Sequence, residues 1–338
     1  MRKILLILIV SSLFSCRKDV GPQTNNNSTE NETFHDVLIA CEGNFGTGNG
    51  SLSIYSSSAK ETLNNYFNQE NNYPLGDVVQ SIASIDENLY IVVNNSGKIE
   101  IIDSTNYLSQ GVIAGFTSPR EIAKIDNDKA YVTDLYSNSV QVVDLTTRNI
   151  ISSIAVSGWT EAILVRNNYA YVSCPGASLI YKIDISSHEL IDSISTASSP
   201  LDLVLDKNNK LWVVCSGNWG ANDGTLESIN LNTFVNEQVI QLNSSASELC
   251  ISNDLDKLYW LDNGVNYLDV DQTSIINSIV PSGAGFFYGL GIHPNSNDIY
   301  ISDAIDFVQA GKLYRYNSQG EALDSTTLGI NPHAIFFK

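Results

Sequence analysis

The chain has 338 residues and a net charge of −19, because 37 acidic side chains outnumber only 18 basic ones. Nucleic acids and anionic membrane surfaces are bound through clustered Lys and Arg, so this balance argues against both as partners. A hydrophobic content of 43% is typical of a globular protein. A chain of this length can bury a large core without disulfide bonds or a structural metal.

The first sixteen residues have the order of a bacterial lipoprotein signal. Arg2 and Lys3 precede an unbroken apolar run from Ile4 to Val10, and the segment LFSC ends at Cys16. Seven apolar residues cannot span a bilayer, which needs about 20, but they suit the core of a secretory signal. A small residue directly before Cys16, with Leu three positions before it, resembles a lipobox. The lipobox rule implies cleavage before Cys16 and stable anchoring by several acyl chains. An ordinary signal peptide with an incidental cysteine is the alternative.

The next segment, from Arg17 to about Thr33, is polar and has almost no apolar content. Such a composition does not offset the entropy of ordering, so a flexible tether is predicted. The chain is therefore divided into a signal peptide (1–15), a lipidated N-terminus with tether (16–35) and one folded domain (36–338). We expect a lipid-anchored protein of the outer membrane that faces the cell surface. The inner membrane and the opposite leaflet are the alternatives to this expectation.

A repeat of 40 to 47 residues runs through the folded domain. Aromatic residues open one kind of strand at intervals of 41, 40, 41, 47 and 41 residues, and Asp or Asn ends the following strand. A period of this length with four short alternating strands is typical of a β-propeller. The aromatic series is Tyr90, Tyr131, Tyr171, Trp212, Tyr259 and Tyr300.

The repeats predict an all-β, seven-bladed propeller with strands A to D in each blade. In the third blade these strands are predicted at 121–125, 130–134, 140–144 and 150–156. Six complete blades run from about Val79 to Gly329. Before them stand only VLIAC, SLSIYS and a predicted third strand near Leu63 to Phe67. The C-terminal segment PHAIFF has the pattern of an A strand, so we expect it to close the first blade and remove the open sheet edge.

Strand parity sorts the loops onto two faces. The B–C loops and D–A connections share one, the B–C face; the A–B and C–D turns share the other, the A–B face. Aromatic residues in the turns of the A–B face are only Tyr107 and Phe234. Aromatic, Gly-rich loops on a rigid scaffold are typical of recognition sites, although some rings will pack beneath the loops. The ligand-binding set predicted on the B–C face is Phe45, Tyr73, Arg120, Tyr136, Trp159, Trp219, Phe286, Phe287 and Phe307.

Two long B–C loops match each other at a separation of 174 residues. The segment GNFG at 43–46, followed by GSL at 50–52, parallels GNWG at 217–220, followed by GTL at 224–226. Glycine permits positive φ, so such a loop can lift one aromatic ring toward a ligand. The alternative is that each ring forms the small core of its own loop.

Four carboxylates are predicted to ring the mouth of the central channel. They fall at the starts of successive A strands, 40, 41 and 46 residues apart, and are Glu121, Glu161, Asp202 and Glu248. Such a ring can hold a cation or accept N–H groups of a ligand. The alternative is a set of solvated carboxylates bonded to amides of neighbouring loops.

The sequence contains no recognisable catalytic motif. HExxH, GxSxG, P-loop and dinucleotide-binding patterns are absent, and the four histidines fall in different loops. No enzyme activity, cofactor or metal site is therefore predicted. Four cysteines without CxxC spacing, Cys41, Cys174, Cys215 and Cys250, are expected to be buried small hydrophobic residues rather than disulfides.

Several segments carry a resemblance to a known family: CEGNFGTGNGSLSIY, LGDVVQSI, LYIVVNNSGKIEIID, SPREIAKI and KAYVTDLYSNSVQVVDLTT. They are similar to the YncE-like surface lipoprotein propellers of Gram-negative gut bacteria, over about Asp36 to Lys338. The BtuG-like branch of these proteins captures cobalamin outside the cell and passes it to a TonB-dependent transporter. The resemblance therefore implies a non-catalytic binder of a corrinoid with such a transporter as partner. Two other classes stay open: a lactonase- or lyase-type enzyme that uses the acidic channel mouth, and a protein-binding or adhesion module.

Overall fold

The computed structural model describes residues 36–338 apart from 219, 243, 274 and 284, and of residues 276 and 277 only the backbone. Cys16, the predicted signal and the predicted tether lie outside the described residues, as does Trp219. Within them, the predicted all-β, seven-bladed propeller is confirmed: seven sheets contain four strands each.

Blades 1 to 4 have the following strands, in chain order within each blade. Blade 1 contains β1 (Val37–Cys41), β2 (Ser51–Ser56), β3 (Glu61–Leu63) and the C-terminal β28 (Pro332–Phe337); blade 2 contains β4 (Val79–Ile85), β5 (Asn88–Val93), β6 (Lys98–Asp103) and β7 (Ser109–Ala114); blade 3 contains β8 (Pro119–Lys124), β9 (Lys129–Asp134), β10 (Ser139–Asp144) and β11 (Asn149–Ala155); blade 4 contains β12 (Ile163–Arg166), β13 (Tyr169–Cys174), β14 (Leu179–Asp184) and β15 (Glu189–Ser195).

Blades 5 to 7 complete the ring. Blade 5 contains β16 (Pro200–Leu205), β17 (Lys210–Cys215), β18 (Thr225–Asn230) and β19 (Val235–Gln241); blade 6 contains β20 (Ser247–Ile251), β21 (Lys257–Leu261), β22 (Gly264–Asp269) and β23 (Ile276–Pro281); blade 7 contains β24 (Phe287–Ile292), β25 (Ile299–Asp303), β26 (Ala310–Tyr316) and β27 (Ala322–Ile330).

The C-terminal strand closes the ring, as predicted. β28 pairs antiparallel with β1, with Phe337 opposite Val37, Phe336 opposite Leu38 and Ile335 opposite Ile39. Blade 1 therefore has the strand order β28-β1-β2-β3, and its innermost strand comes from the other end of the chain. Closure leaves no inner edge unpaired, which is how a propeller avoids edge-to-edge association.

The repeating aromatic residues of the B strands join neighbouring blades. Tyr171 of blade 4 packs in one buried cluster with Leu211 and Val213 of blade 5, and Trp212 of blade 5 packs with Trp260 of blade 6. The B strands are buried along almost their whole length because neighbouring blades cover both faces of each sheet. The spacing of these large rings is therefore the sequence signature of blade-to-blade packing.

The prediction of a third strand near Leu63 to Phe67 was wrong in its extent. β3 ends at Leu63, and a short helix, α1 (Tyr66–Asn71), follows. Asn65 has a left-handed backbone with φ of 55°, which ends the extended chain. The ring of Phe67 then enters the core between blades 1 and 2 from the helix, so an apolar residue satisfied the strand pattern without being in a strand. A 3₁₀ turn, Asn94–Ser96, follows β5.

The cysteines of the domain are unpaired, as predicted. Cys41, Cys174 and Cys215 are buried free thiols at the ends of their strands, and Cys250 is a partly buried free thiol. Burial raises the pKa of the Cys41 thiol to about 11, so it is an inert core residue. Across the part of the chain that the structure describes, no helix is long and apolar enough to cross a bilayer.

Candidate functional site

The starts of the A strands surround a cavity of about 330 Å³ at the propeller axis. All four carboxylates of the predicted ring line it, together with Arg120 and Trp159. Every blade contributes at least one lining residue, because each A strand is the innermost strand of its sheet. Residues that lie 40 or more positions apart in the sequence are thus brought to one site.

Irregular strand pairing occurs where the channel residues lie. The register of A and B strands shifts between Pro119 and Ile122 in blade 3, and between Pro200 and Leu203 in blade 5. A β-bulge changes the direction of a side chain relative to regular pairing, and bulges are common next to functional sites. In blade 6 the same irregularity includes Glu248, whose φ of 55° is unusual for a residue other than glycine.

One side of the cavity is held by an arginine. The Nε of Arg120 donates to Oε1 of Glu161 at 2.7 Å, and its Nη1 donates to Oε1 of Gln80 at 2.5 Å. Its Nη2 donates to the same Glu161 oxygen. Arg120, predicted as a ligand-binding residue, therefore lies at the site, but its N–H groups form hydrogen bonds to side chains of the two neighbouring blades.

The other side is built around a histidine of the closing strand. The Nε2 of His333 lies 3.1 Å from Oε1 of Glu248, and its Nδ1 lies 3.5 Å from Oε1 of Glu42. Tyr288 donates its hydroxyl to both oxygens of Glu42 at 3.1 Å, and its ring centroid is 4.6 Å from that of His333. Burial alone would lower the pKa of His333, but the charges of Glu248 and Glu42 raise it to about 9. His333 is therefore a cation at neutral pH.

Among the carboxyls that line the cavity, Glu121 and Asp202 are the two for which the described residues provide no ion pair. Oε2 of Glu121 accepts a hydrogen bond from the amide of Ile163 at 2.9 Å, and Oδ2 of Asp202 accepts one from the amide of Leu249 at 2.9 Å. Each bond reaches the A strand of the next blade, so these two carboxyls match the alternative in bonding a neighbouring amide, but the amides belong to strands rather than loops. Both nevertheless line the cavity.

The pKa values of these two carboxyls are raised. Burial, with a further contribution from the charge of Glu161, raises the pKa of Glu121 to about 7. Burial and then the charge of Glu248 raise the pKa of Asp202 well above its usual range. Perturbed carboxyls in a cavity are characteristic of functional sites, because a site that only had to be stable would avoid them.

A substitution at Glu121 tests whether ionisation of this buried carboxyl destabilises the folded protein. Because the pKa of Glu121 is about 7 in the folded protein against an ordinary 4.5, its ionisation opposes folding, and its contribution to stability falls as pH rises from 4.5 to 7. Glu121→Gln keeps an acceptor for the Ile163 amide and stays neutral. We expect it to raise the free energy of unfolding at pH 8 by roughly 2 kcal/mol, and to have little effect near pH 4.5.

Thermal melting at both pH values measures this difference. Glu189→Gln, at an exposed carboxylate on the outer strand β15, is the matched control and should change the melting temperature little at either pH. A Glu121→Gln protein that is no more stable than the parent at pH 8 would contradict the raised pKa.

The B–C face carries the exposed aromatic residues. Phe45 is 79% exposed, Tyr136 70% and Phe286 52%. Across the described residues, the five most exposed aromatic side chains all belong to B–C loops or D–A connections, with Tyr73 and Phe307 as the other two. On the A–B face, Tyr107 is buried against Tyr66 and Phe234 packs against Tyr171, so both aromatic residues serve the core.

Contacts between rings connect the face to the cavity. The ring centroids of Phe286 and Phe307 are 4.9 Å apart, those of Phe307 and Tyr288 are 5.2 Å apart, and Tyr288 contacts His333. A second cavity of about 570 Å³ lies between blades 6 and 7, and Glu248 and Tyr288 line both cavities. The aromatic face and the channel mouth therefore form one continuous surface.

The remaining predicted residues differ in their surroundings. Trp159 is partly buried and lines the channel cavity, whereas Phe287 is partly buried, packs against Tyr314 and lines the second cavity. Tyr73 packs on Phe67 and donates its hydroxyl to Glu100 at 2.8 Å, so blades 1 and 2 hold it in place.

The paired glycines of the two matching loops have similar backbone angles. Gly43 and Gly217 have φ of 76° and 79°, and Gly46 and Gly220 have φ of 80° and 75°. In each loop, the amide after the first glycine donates to a side chain five residues further along the chain. Asn44 N–H donates to Oδ1 of Asn49 at 2.7 Å, and Asn218 N–H donates to Oδ1 of Asp223 at 2.7 Å. The exposure of Phe45 shows that its ring is not a core for its own loop. Trp219, the matching ring, lies outside the described residues.

Sequence reasoning missed three residues of the site: Glu42, Tyr288 and His333. His333 follows Pro332 at the start of β28 just as Arg120 follows Pro119 at the start of β8, so an alignment of A-strand starts would have found it. Glu42 follows β1, in a position that no repeat marks. In the described part of the chain, no three His, Cys, Asp or Glu side chains converge as metal ligands.

Comparison with known proteins supports the fold and leaves the chemistry open. A family model, DUF5074, described as a domain of unknown function, matches residues 35–336. A quinonprotein alcohol dehydrogenase-like protein from Bacteroides thetaiotaomicron is similar in structure, with a TM-score of 0.73, 14% identity, and coverage of 88% of this chain and 77% of that one. A functionally unknown protein from Desulfotomaculum acetoxidans gives a TM-score of 0.70 and 13% identity, covering 90% of this chain and 99% of that one.

Kuenenia stuttgartiensis hydrazine synthase gives a TM-score of 0.65 and 16% identity, covering 76% of this chain and 88% of that one. The comparison with curated proteins gives no match. Likeness at these identities shows a shared fold and carries no information on ligand or reaction.

Proposed function

This chain belongs to the DUF5074 family, a family of unknown function, and on the geometry of its B–C face we propose that it is a non-catalytic protein that captures a corrinoid such as cobalamin. The observation that carries the proposal is the concentration of exposed aromatic rings on one face, continuous with the channel cavity. Exposed aromatic residues cost solubility, and their restriction to one face favours recognition over packing.

The chemistry of the face suits a large, flat ligand with a polar rim. Phe45, Tyr136 and Phe286 supply apolar area for a ring system. Carboxylates at the channel mouth supply acceptors for peripheral amide N–H groups. A ligand larger than either cavity would lie across the face with one edge over the channel. Such binding needs only stacking and hydrogen bonds, so it needs no catalytic set.

The cellular context of the proposal comes from the sequence. The lipobox-like segment ending at Cys16 and the polar tether after it suit a domain held at a membrane surface by acyl chains. In the proposed role the domain lies outside the cell at the outer membrane and passes its ligand to a TonB-dependent transporter.

An enzyme of lactonase or lyase type is the second candidate, and one observation favours it. Glu121 has a pKa of about 7 and lies in the same cavity as His333, so the cavity contains groups suited to proton transfer. His333 is already bridged between two carboxylates, and Glu121 is bonded to a backbone amide. These contacts favour a fixed binding surface over a base free to approach a substrate.

Calorimetry with cyanocobalamin, with haem as a second ligand, tests the proposal on the domain 36–338. Trp159 lines the cavity at the face, and large aromatic residues at the centre of an interface commonly contribute about 2 kcal/mol or more. We therefore expect Trp159→Ala to weaken cyanocobalamin binding at least about thirtyfold without a change in fold.

Tyr169→Ala is the matched control, because Tyr169 is a partly buried aromatic residue at the start of β13, on the A–B face. It should leave binding unchanged. Absence of heat and of any spectral change with cyanocobalamin would overturn the corrinoid assignment. Turnover of a lactone that is lost in Glu121→Gln, with Trp159→Ala silent, would establish the enzyme instead.

A further inference from the structure

We propose that the channel mouth binds the ammonium group of an organic amine, between the carboxyls of Glu121 and Asp202 and beside the ring of Trp159. This site goes beyond the capture of a corrinoid and does not rest on it. It would admit a primary ammonium on a short alkyl or aryl chain, because the cavity of about 330 Å³ is lined by both apolar and carboxyl groups.

The charges around the cavity do not balance. Four carboxyls line the cavity, and a fifth, Glu42, lies 3.5 Å from the lining residue His333. Glu161 pairs with Arg120, and Glu42 and Glu248 flank the cationic His333. The remaining two are Glu121 and Asp202, for which the described residues offer no cationic side chain within ion-pair distance. Burial, and then the repulsion between like charges, disfavours the ionised forms of these two carboxyls, and protonation relieves the repulsion. A ligand cation would relieve it as well and would let both carboxyls ionise.

Unused hydrogen-bond acceptors point the same way. Only Oε2 of Glu121 and only Oδ2 of Asp202 accept a bond from the described part of the chain. The second oxygen of each carboxyl therefore retains its capacity to accept an N–H group, and both side chains line the cavity. An ammonium has three N–H donors that suit two such oxygens.

The aromatic walls favour an organic cation over a metal ion. Trp159 and Tyr288 line the same cavity, and a cation near the face of an aromatic ring gains about 1 kcal/mol or more when it is partly desolvated. No three carboxyl, imidazole or thiol ligands converge within the described residues, as the coordination of a dehydrated metal ion would require. The two carboxyls suit the positive charge and the N–H donors of an ammonium group, and the indole ring suits the apolar stem that carries it.

The test compares n-butylammonium with n-butanol on the unaltered domain at pH 8, by calorimetry or chemical-shift titration. Butylammonium is fully charged at this pH because primary amines have pKa values of about 10. We expect it to bind at least about tenfold more tightly than butanol, and to bind more tightly at pH 8 than at pH 6, because the carboxyls must lose protons to receive the cation. Heats measured in phosphate and in HEPES, neither of which contains a primary ammonium that would compete for the site, should differ by the proton released.

Variants locate the site. Glu121→Gln and Asp202→Asn should each weaken butylammonium binding about tenfold and leave butanol binding unchanged. Glu189→Gln removes the same charge from the exposed strand β15 and should leave both unchanged. Equal binding of butylammonium and butanol would overturn the proposal, and so would equal weakening by all three variants, which would indicate general attraction to an acidic surface. These results are independent of cyanocobalamin, so failure of either proposal leaves the other standing.

Discussion

Deletion of residues 332–338 is expected to abolish cooperative folding of the propeller at 25 °C. The deleted segment contains β28, which pairs with β1 over Val37 to Cys41. Ile335 and Phe337 pack in the core between blades 7 and 1, and Phe336 packs in the core between blades 1 and 2. Loss of one large apolar core side chain costs about 2–5 kcal/mol, and a whole domain is stable by only about 5–15 kcal/mol. Loss of all three, with the strand pairing, therefore exceeds the stability available.

Far-UV circular dichroism during thermal and urea unfolding measures this loss. Deletion of Lys338 alone is the matched control, since its side chain is exposed at the end of the strand and it leaves β28 intact. We expect the control to melt within a few degrees of the full domain. A protein lacking 332–338 that unfolds cooperatively at nearly the parental temperature would contradict closure of the ring by the C-terminus.

Replacement of Cys16 by alanine is expected to release the protein from the membrane fraction almost completely. The prediction follows from the basic, apolar and cysteine order of the first sixteen residues, in which the Cys16 thiol and amine are the proposed acylation sites. Two or more acyl chains anchor a protein stably, and without them the polar tether offers no apolar surface to the bilayer. The Cys16→Ala protein should therefore collect in the periplasm or the medium.

Membrane fractionation followed by mass measurement of the N-terminal peptide provides the readout. Cys250→Ala removes a thiol from the propeller and serves as the control, since it should remain in the membrane fraction. If Cys16→Ala also remains there and the parental peptide has no acyl mass, the assignment of a lipid anchor at Cys16 is wrong.

The blade count could be read from the sequence because the propeller repeats one packing problem. Each B strand must place a large ring, such as Tyr131 or Trp212, against the next blade, so the spacing of these residues follows the length of a blade. The closing strand could be predicted because PHAIFF has the pattern of an A strand and follows the six complete blades, whereas the first blade lacks an A strand of its own. The end of β3 could not be predicted, because an apolar residue such as Phe67 fits the pattern of a buried strand and of a helix equally well.

The position of the acidic ring could be predicted from the sequence, but the bonding partners and the pKa values of its carboxyls could not. Strand starts 40 to 46 residues apart had to meet at the axis, and Glu121, Glu161 and Asp202 do so. Their partners depend on neighbours that are distant in sequence: Glu161 is paired with Arg120, and Asp202 bonds the Leu249 amide. The pKa of a carboxyl depends on burial and on charges within a few ångströms, and spacing along the chain contains neither quantity.

The sequence by itself determined the fold class, the number of blades, the closing strand and the face that carries the aromatic loops, because each of these follows from periodicity. Only the tertiary structure decided which rings are free and which are packed, as Phe45 is exposed while Tyr73 is held by Glu100. It also brought His333, Tyr288 and Glu42 to one wall of the channel from three distant parts of the chain. The physical reason is that burial and electrostatic contact are properties of distances in space, which closure of the ring creates between residues nearly 300 positions apart.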